Sequence, residues 1–361
     1  MKFLKNKNCY VFLIIFSMLL VELLQAQNNI KIIPDWTMPK GVAIVYPENL
    51  PENQKEKRKK KNLINFYDSF IQKIIDSSEI SELTIVHRVG IKEKLCNKFP
   101  SPKIKLVEIK NVQDIWIRDF APIATTTNHN VIKASYYPQY FPMQEKKYAK
   151  LDDTIGQVLA EKYLKINVSN LVCNNKRVIL DGGNFIHNGN GIGITTNRII
   201  ADNEWLSIDE IRNTFEEQLG ISKLIIVPVE SGDETGHIDG MVRFINETTV
   251  VVAVYPDNYR EGKEFMDGIA KQLAIEFKVI RITNESPEDP NDNEFPSAYG
   301  NYINFLRVGN KIFLPQYGIP DKDKSAKEEY EKYFQVITVD KDIEKLSKLG
   351  GVLNCITWTY Y

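Results

Sequence analysis

The sequence predicts an α/β protein in which strand pairs alternate with single helices. Short runs rich in Val and Ile, bounded by Gly, Pro and Asn, recur from Val42 to the C-terminus and read as strands. Between them lie stretches with apolar residues three and four apart, the spacing of amphipathic helices. No Gly/Ser-rich linker or low-complexity block divides the chain, so one domain over residues 27–361 is expected. Alternating elements usually give parallel doubly wound sheets. Here paired strands separate the helices, which suggests repeated ββαβ-like units.

In order, Val42 to Val45 reads as a buried strand. Glu52 to Lys61 is a charge run leading into a helix with Leu63, Phe66, Tyr67, Phe70 and Ile74 on one face. Leu83 to Val86 and Ile104 to Ile109 read as strands, and Asp152 to Tyr163 as a helix. Val178 to Leu180 and Ile192 to Thr195 read as strands joined through His187-Asn188-Gly189-Asn190-Gly191, a hairpin signal. Ser207 is placed to cap a helix that Gly220 ends, with Ile211, Phe215 and Leu219 on its apolar face. Leu224 to Val229, Met241 to Ile245 and Thr249 to Val254 follow as strands, and Glu261 to Phe277 as a helix. Ile312 to Leu314 is a strand, Lys322 to Phe334 a helix and Gln335 to Val339 a strand. Asp340 is a plausible N-cap for a last helix to Leu349, ahead of an apolar strand carrying Cys355.

Composition is globular, with 43% hydrophobic and 26% charged residues and a formal net charge of -1. Such a balance gives no global attraction to nucleic acid or to an anionic membrane. Lys2, Lys5 and Lys7, an apolar run from Val11 to Leu24, and Gln25-Ala26-Gln27 have the order of a secretory signal peptide. Residues 1–26 are therefore expected to be removed and the mature protein to be secreted or periplasmic, an uncleaved N-terminal anchor being the alternative. After removal no stable membrane association is expected. Cys96, Cys173 and Cys355 would remain, an odd number that leaves at least one thiol free. Asn-x-Ser/Thr triplets stand at Asn167, Asn246 and Asn284.

Polar clusters interrupt the apolar pattern at strand ends. Trp116-Ile117-Arg118-Asp119 is followed by Pro122. If this segment is extended, Arg118 and Asp119 point to opposite faces and do not pair. Asp181-Gly182-Gly183-Asn184 follows an apolar run, where glycine permits a tight turn or the close approach of a backbone to a ligand. In Gly236-His237-Ile238-Asp239-Gly240, His237 and Asp239 would share one face of a strand. The remaining histidines, His87, His129 and His187, are isolated, so no metal-ligand spacing is present and neither metal nor cofactor is expected. Asn304 lies among aromatics in Asn301-Tyr302-Ile303-Asn304-Phe305.

One thiol, one histidine and several carboxylates suit acyl-transfer chemistry poorly, because carboxylates near a thiol raise its pKa. They suit a cationic substrate. Two carboxylates can grip a planar guanidinium, and the bound cation then favours the thiolate.

Trp116-Ile117-Arg118-Asp119 with Pro122, Gly182-Gly183-Asn184, Gly236 to Gly240, Tyr302-Ile303-Asn304, and Gly350-Gly351 ahead of Cys355-Ile356-Thr357 together resemble the agmatine deiminase and bacterial-type peptidyl-arginine deiminase family. The resemblance spans nearly the whole mature chain. It implies the pentein fold, a five-bladed α/β propeller of ββαβ units around a central site. It also implies that Cys355 attacks the guanidinium carbon and that Asp119 and Asp239 hold its nitrogens. His237 would protonate the departing ammonia and then activate water. Asn304 is implied in positioning, Asp181 as a partner of His237, and Trp116 either in stacking on the substrate or in core packing. Two departures concern the substrate. Asn354 stands where agmatine deiminases typically carry His before the cysteine. Tyr136-Tyr137-Pro138-Gln139-Tyr140-Phe141-Pro142 lacks the arginines that hold a peptide carboxylate in peptidyl-arginine enzymes; this aromatic cluster is expected either to line a slot for an aliphatic tail or to be core.

The expected partner is accordingly a small guanidino compound, agmatine first, or an arginine-containing peptide. Nucleic acid is not expected, and a homodimer is an open assembly. An amidinotransferase on the same fold would differ in its acceptor. A non-catalytic guanidinium-binding module would need the carboxylates but neither Cys355 nor His237. A papain-like protease lacks its local signature here.

Overall fold

The computed structural model describes residues 32–50, 63–126, 130–286 and 297–361. Residues 1–26, expected from the sequence to direct export, and the charge run from Glu52 to Lys61 lie outside the described residues. Among the described residues no helix is long and apolar enough to cross a membrane.

The chain opens with β1 (Gly41–Val45), α1 (Ile64–Ser77), β2 (Glu82–His87), α2 (Lys92–Lys98) and β3 (Ile104–Glu108). A helical turn α3 (Ile117–Phe120) leads to β4 (Ile123–Ala124), β5 (Asn130–Lys133), α4 (Lys146–Val158) and β6 (Asn167–Asn170). A small hairpin, β7 (Val172–Cys173) and β8 (Lys176–Arg177), precedes β9 (Ile186–His187) and β10 (Ile192–Thr196). Next come α5 (Arg198–Asp202), α6 (Ile208–Leu219), β11 (Lys223–Val227), β12 (Val242–Asn246), β13 (Thr249–Val254), α7 (Arg260–Leu273) and β14 (Lys278–Thr283). The chain closes with β15 (Leu306–Val308), β16 (Lys311–Pro315), α8 (Pro320–Tyr330), β17 (Gln335–Val339), α9 (Ile343–Ser347) and β18 (Trp358–Tyr360).

Four sheets share one plan. In β4-β5-β6, β9-β10-β11, β12-β13-β14 and β15-β16-β17, an antiparallel first pair is followed by a helical crossover to a parallel third strand. The fifth repeats it with the ends of the chain exchanged, because β18 pairs antiparallel with β1 and β1 parallel with β2, β3 being added at the edge. The ββαβ repetition expected from the sequence is thus present five times among the described residues. One hydrophobic cluster takes residues from all five sheets, including Ala43, Val131, Ile194, Val251 and Phe313. A second cluster packs α6, through Ile211, Phe215 and Leu219, against Phe185 and Leu224.

Local chemistry accounts for several elements directly. Phe66, Tyr67, Phe70, Ile71 and Ile74 form the buried face of α1. Ser207 begins α6 with a capping box: the Glu210 N–H donates to Ser207 Oγ at 3.2 Å, and the Ser207 N–H donates to Glu210 Oε2 at 2.8 Å. Gly220, at φ 67°, ends that helix in the left-handed conformation.

Other expectations are corrected. Residues 178–180 form no strand, only a single bridge from Ile179 to Ser135. The Asn203 side chain takes up both the N–H and the carbonyl of Ile179, at 2.9 and 2.8 Å, leaving nothing for a neighbouring strand. The hairpin at residues 187–191 therefore joins β9 to β10. Asp340 is not an N-cap: its Oδ1 accepts the adjacent Lys341 N–H, and α9 starts at Ile343 and ends at Ser347. Cys355 lies in a turn ahead of β18, because Thr357 folds back to the carbonyls of Leu353 and Asn354 at 2.8 and 3.1 Å. Arg118 and Asp119 lie in a helical turn, and Asp239 lies in another that His237, itself extended, precedes as N-cap; neither segment is a strand.

These turns position the site. Each of the five sheets begins its antiparallel pair just after one: α3 before β4, Gly182–Asn184 before β9, Ile238–Gly240 before β12, residues 303–304 before β15 and residues 353–356 before β18. Hydrogen bonds tie them in a closed circuit. The Arg118 N–H donates to the Cys355 carbonyl at 3.1 Å, and the Gly183 N–H to Asp119 Oδ1 at 3.0 Å. Thr196 Oγ1 is within 2.9 Å of Asn184 Oδ1 and 2.6 Å of the Gly236 carbonyl. Asn301 Nδ2 donates to the Gly240 carbonyl at 2.9 Å, and the Asn354 N–H to Asn304 Oδ1 at 3.0 Å. The five first-strand ends therefore meet around one centre.

Candidate active site

That centre is a cavity of about 310 Å³ with Cys355, His237, Asp119, Asp239, Asn304 and Trp116 in its wall. Six of the seven residues expected from the sequence at a site are brought together in the wall, although four different turns and the segment before α3 supply them. Asp181 stands behind His237 and not in the wall.

His237 is gripped from both ring nitrogens. Nε2 lies 3.2 Å from Asp181 Oδ2, and Nδ1 lies 3.6 Å from Asp119 Oδ1. Tyr140 donates its hydroxyl to the same Asp181 oxygen at 3.0 Å. Burial alone would favour the neutral ring. Asp119, Asp181 and Asp239 outweigh it and push the His237 imidazolium up to about 10. Asp119 is itself pushed up to about 7, chiefly by burial, with Asp181 and Asp239 adding repulsion and His237 and the Gly183 N–H opposing. A raised acid beside a raised base describes one cluster that shares a proton at neutral pH.

Gly183 explains why this cluster closes. A Cβ there would sit 2.7 Å from His237 Nδ1 and 2.8 Å from Asp119 Oδ1, so only glycine lets the two approach across the turn. The close approach that the glycine pair permits is thus to catalytic-site side chains. Gly351 does the same beneath Trp116, where a Cβ would come within 2.6 Å of the indole ring. Trp116 consequently shows one face to Gly351 while lining the cavity.

The Cys355 thiol is 8% exposed. Its Sγ lies 3.4 Å from Asn304 Oδ1 and 3.8 Å from Asp239 Oδ2. Burial, then Asp239 and Asp119, push it well above its ordinary pKa. These surroundings favour the protonated thiol, and a cation placed between the two aspartates would oppose them. Asn304 also fixes the turn, its Oδ1 accepting the N–H groups of Asn354 and Cys355 at 3.0 and 3.3 Å.

Two contributors, Asn354 and Glu230, escape sequence reasoning, and a third, Tyr140, is left open by it. Asn354, noted only as a departure from the family pattern, donates Nδ2 to Asp239 Oδ2 at 2.6 Å and so orients that carboxylate. Tyr140 belongs to the aromatic cluster at residues 136–142, for which the sequence leaves slot lining and core both open; with Tyr136 and Phe141 it lines the cavity. Glu230 also lines the cavity, and no local signal distinguishes it in the sequence. Among the described residues no group of His, Cys, Asp and Glu is arranged to hold a metal ion. Cys96, Cys173 and Cys355 are all free thiols.

The profile of the Porphyromonas-type peptidyl-arginine deiminase family matches residues 31–360. A putative agmatine deiminase from Streptococcus mutans is 25% identical over 297 residues, covering 71% of this chain and 76% of its own. The agmatine deiminase of Stutzerimonas stutzeri is 24% identical over 293 residues, with the same two coverages of 71% and 76%. Among solved structures, an agmatine deiminase from C. jejuni superposes with a TM-score of 0.76 at 19% identity, covering 92% of this chain and 96% of that one. A putative arginine deiminase from Porphyromonas gingivalis gives 0.73 at 19% identity, covering 92% and 98%. The five-sheet architecture is thus the pentein fold. With the family profile covering nearly all of its length, the chain belongs to the Porphyromonas-type peptidyl-arginine deiminase family and is a hydrolase acting on the C–N bonds of amidines.

Proposed function

We propose that the protein is a guanidino-group deiminase of the agmatine type, working through a covalent adduct on Cys355. The observation that carries this reading is the placement of one buried thiol beside two carboxylates and a doubly held histidine in a single cavity. Asp119 and Asp239 accept the N–H groups of the guanidinium, and the bound cation allows the thiol proton to leave for solvent. The thiolate forms a bond to the guanidinium carbon. His237 gives its proton to one amino group, the C–N bond breaks, and ammonia departs, leaving an S-alkylthiouronium cation. Neutral His237 then takes a proton from water as the oxygen bonds to carbon. The C–S bond breaks, the thiolate returns, and a ureido group remains after the hydroxyl proton is lost. Asp181 and Tyr140 hold the imidazole in place through both halves.

The lining favours a basic substrate over an anionic one. Beyond Asp119 and Asp239 it carries Asp114, Glu145, Asp152, Glu230 and Asp233, and among the described lining residues neither Lys nor Arg. Free arginine would bring a carboxylate into that field, whereas agmatine brings only a second cation, its ammonium. The relatives whose names specify agmatine support the same choice. Peptidyl-arginine is the second reading, supported by the family profile. Purified residues 27–361 are expected to release ammonia and form a ureido product from agmatine, with lower turnover of arginine and an arginine-containing peptide. Cys355→Ala should abolish turnover. Peptide turnover exceeding that of agmatine would select the second reading. Guanidinium binding without turnover in the wild type would leave only a binding module.

We also propose that residues 1–26 direct export, as their basic, apolar and small-residue order supports. N-terminal sequencing of protein recovered outside the producing cell should begin near Gln27; an intact Met1 there would contradict removal.

A further inference from the structure

Glu230 lies in the connection between β11 and β12, apart from the cluster around Cys355, and is 8% exposed. Its Oε2 accepts the Tyr255 hydroxyl at 2.8 Å. Its Oε1 is buried and has no hydrogen-bond partner. Tyr259 packs edge-on against Tyr255, with ring centroids 5.1 Å apart, and all three residues line the cavity. Asp233 lines the same wall, its Oδ1 held by the N–H and hydroxyl of Thr235 at 2.9 and 2.8 Å. Burial first, and Asp233 after it, push Glu230 up to about 7 against the opposing Tyr255 hydrogen bond.

A buried carboxylate oxygen left unpaired is costly, and a brace for Tyr255 would need only the other oxygen. Two acids and two aromatic rings facing one cavity, with neither Lys nor Arg among the described lining residues, form the chemical complement of an alkylammonium. We propose that Glu230, steadied by Tyr255 and flanked by Asp233, anchors a second cation at the far end of the substrate. The enzyme then selects guanidines whose alkyl chain ends in an ammonium over those ending in a neutral group. This rests on the guanidino-deiminase reading of the Cys355 end of the cavity.

The test compares agmatine with butylguanidine, which has the same chain without the amine. In the wild type, kcat/KM should favour agmatine by about ten- to a hundredfold, the range of a charge-assisted hydrogen bond. Glu230→Gln retains the shape and the Tyr255 contact. It should remove most of that preference, mainly through KM for agmatine, and leave butylguanidine within about twofold. An equal loss on both compounds would assign Glu230 to the structure of the wall and overturn the proposal, as would an unchanged preference. Binding of both compounds to Cys355→Ala, with and without Glu230→Gln, reads the anchor independently of turnover. A preference for agmatine in binding that Glu230→Gln removes, with no turnover in the wild type, would sustain the anchor and refute the deiminase. Absence of that preference in both kinetics and binding would refute the anchor alone.

Discussion

At the scale of single residues, the centre works by holding charges that repel one another until a cation arrives. Asp119 must be ionised to grip a guanidinium, and His237 must be protonated to release ammonia. Asp119, raised to about 7, loses its negative charge as pH falls through that value. His237, raised to about 10, loses its proton as pH rises through that value. The profile of kcat/KM for agmatine should therefore be a bell with limbs near 7 and 10, the apparent values belonging to the coupled cluster. Asp181→Asn removes one of the charges that raise the imidazolium, so the basic limb should move to lower pH while the acidic limb moves less. A profile unaltered by that substitution would show that Asp181 does not set the protonation of His237. Asn284 illustrates a different constraint: it is 2% exposed and its Oδ1 accepts the Tyr302 N–H at 3.0 Å, so this triplet is not open to glycosylation in the folded chain, whereas Asn167 and Asn246 are exposed.

At the scale of elements, α6 shows what the sequence can carry unaided. Its start, stop and buried face all follow from Ser207, Glu210, Gly220 and the spacing of Ile211, Phe215 and Leu219. Ser207→Ala should lower stability by about 1 kcal/mol, readable in thermal or denaturant unfolding, with little change in turnover. No measurable loss would mean that packing, not the cap, fixes this end. Elsewhere the local signal gives way to tertiary contacts. Residues 178–180 have the composition of a strand, but Asn203, reaching from beyond α5, occupies the backbone groups of Ile179. Short strands such as β4, β9 and β15 are not visible in the sequence, since two or three residues carry no period; only their neighbours across the sheet define them. The site was legible in its residues and not in its conformation. Asp119, His237 and Asp239 are expected from the sequence to be extended, yet Asp119 and Asp239 project from helical turns and only His237, at the N-cap of the second turn, keeps an extended backbone. Pairwise links such as Asn354 to Asp239 join positions 115 residues apart, and no reading of local sequence reaches them.

At the scale of the whole molecule, the fold is a circuit closed by its last strand. β18 pairs Gly41 with Tyr360, Val42 with Thr359 and Ala43 with Trp358. Trp358 also donates Nε1 to the Pro122 carbonyl at 3.0 Å, joining the first sheet to the second. Arginines strengthen another seam: Arg243 on β12 reaches the Phe305 carbonyl at 3.0 Å, and Arg307 on β15 reaches the Ile245 carbonyl at 2.8 Å. Because Cys355 lies three residues before β18, closing the circuit and placing the nucleophile are one event. Deleting residues 358–361 removes two buried aromatic side chains and should lower Tm by about 10 °C or more and abolish turnover. Retained activity in the shortened chain would show that the nucleophile turn holds without its strand.

The measurement that bears most directly on the central claim is the intact mass of enzyme quenched in acid during turnover of agmatine. The wild type should carry an adduct equal in mass to the substrate less ammonia, localised by peptide mapping to Cys355 and absent from Cys355→Ala. Product formation without such an adduct, or an adduct on another residue, would contradict a Cys355 nucleophile in a guanidino-group deiminase.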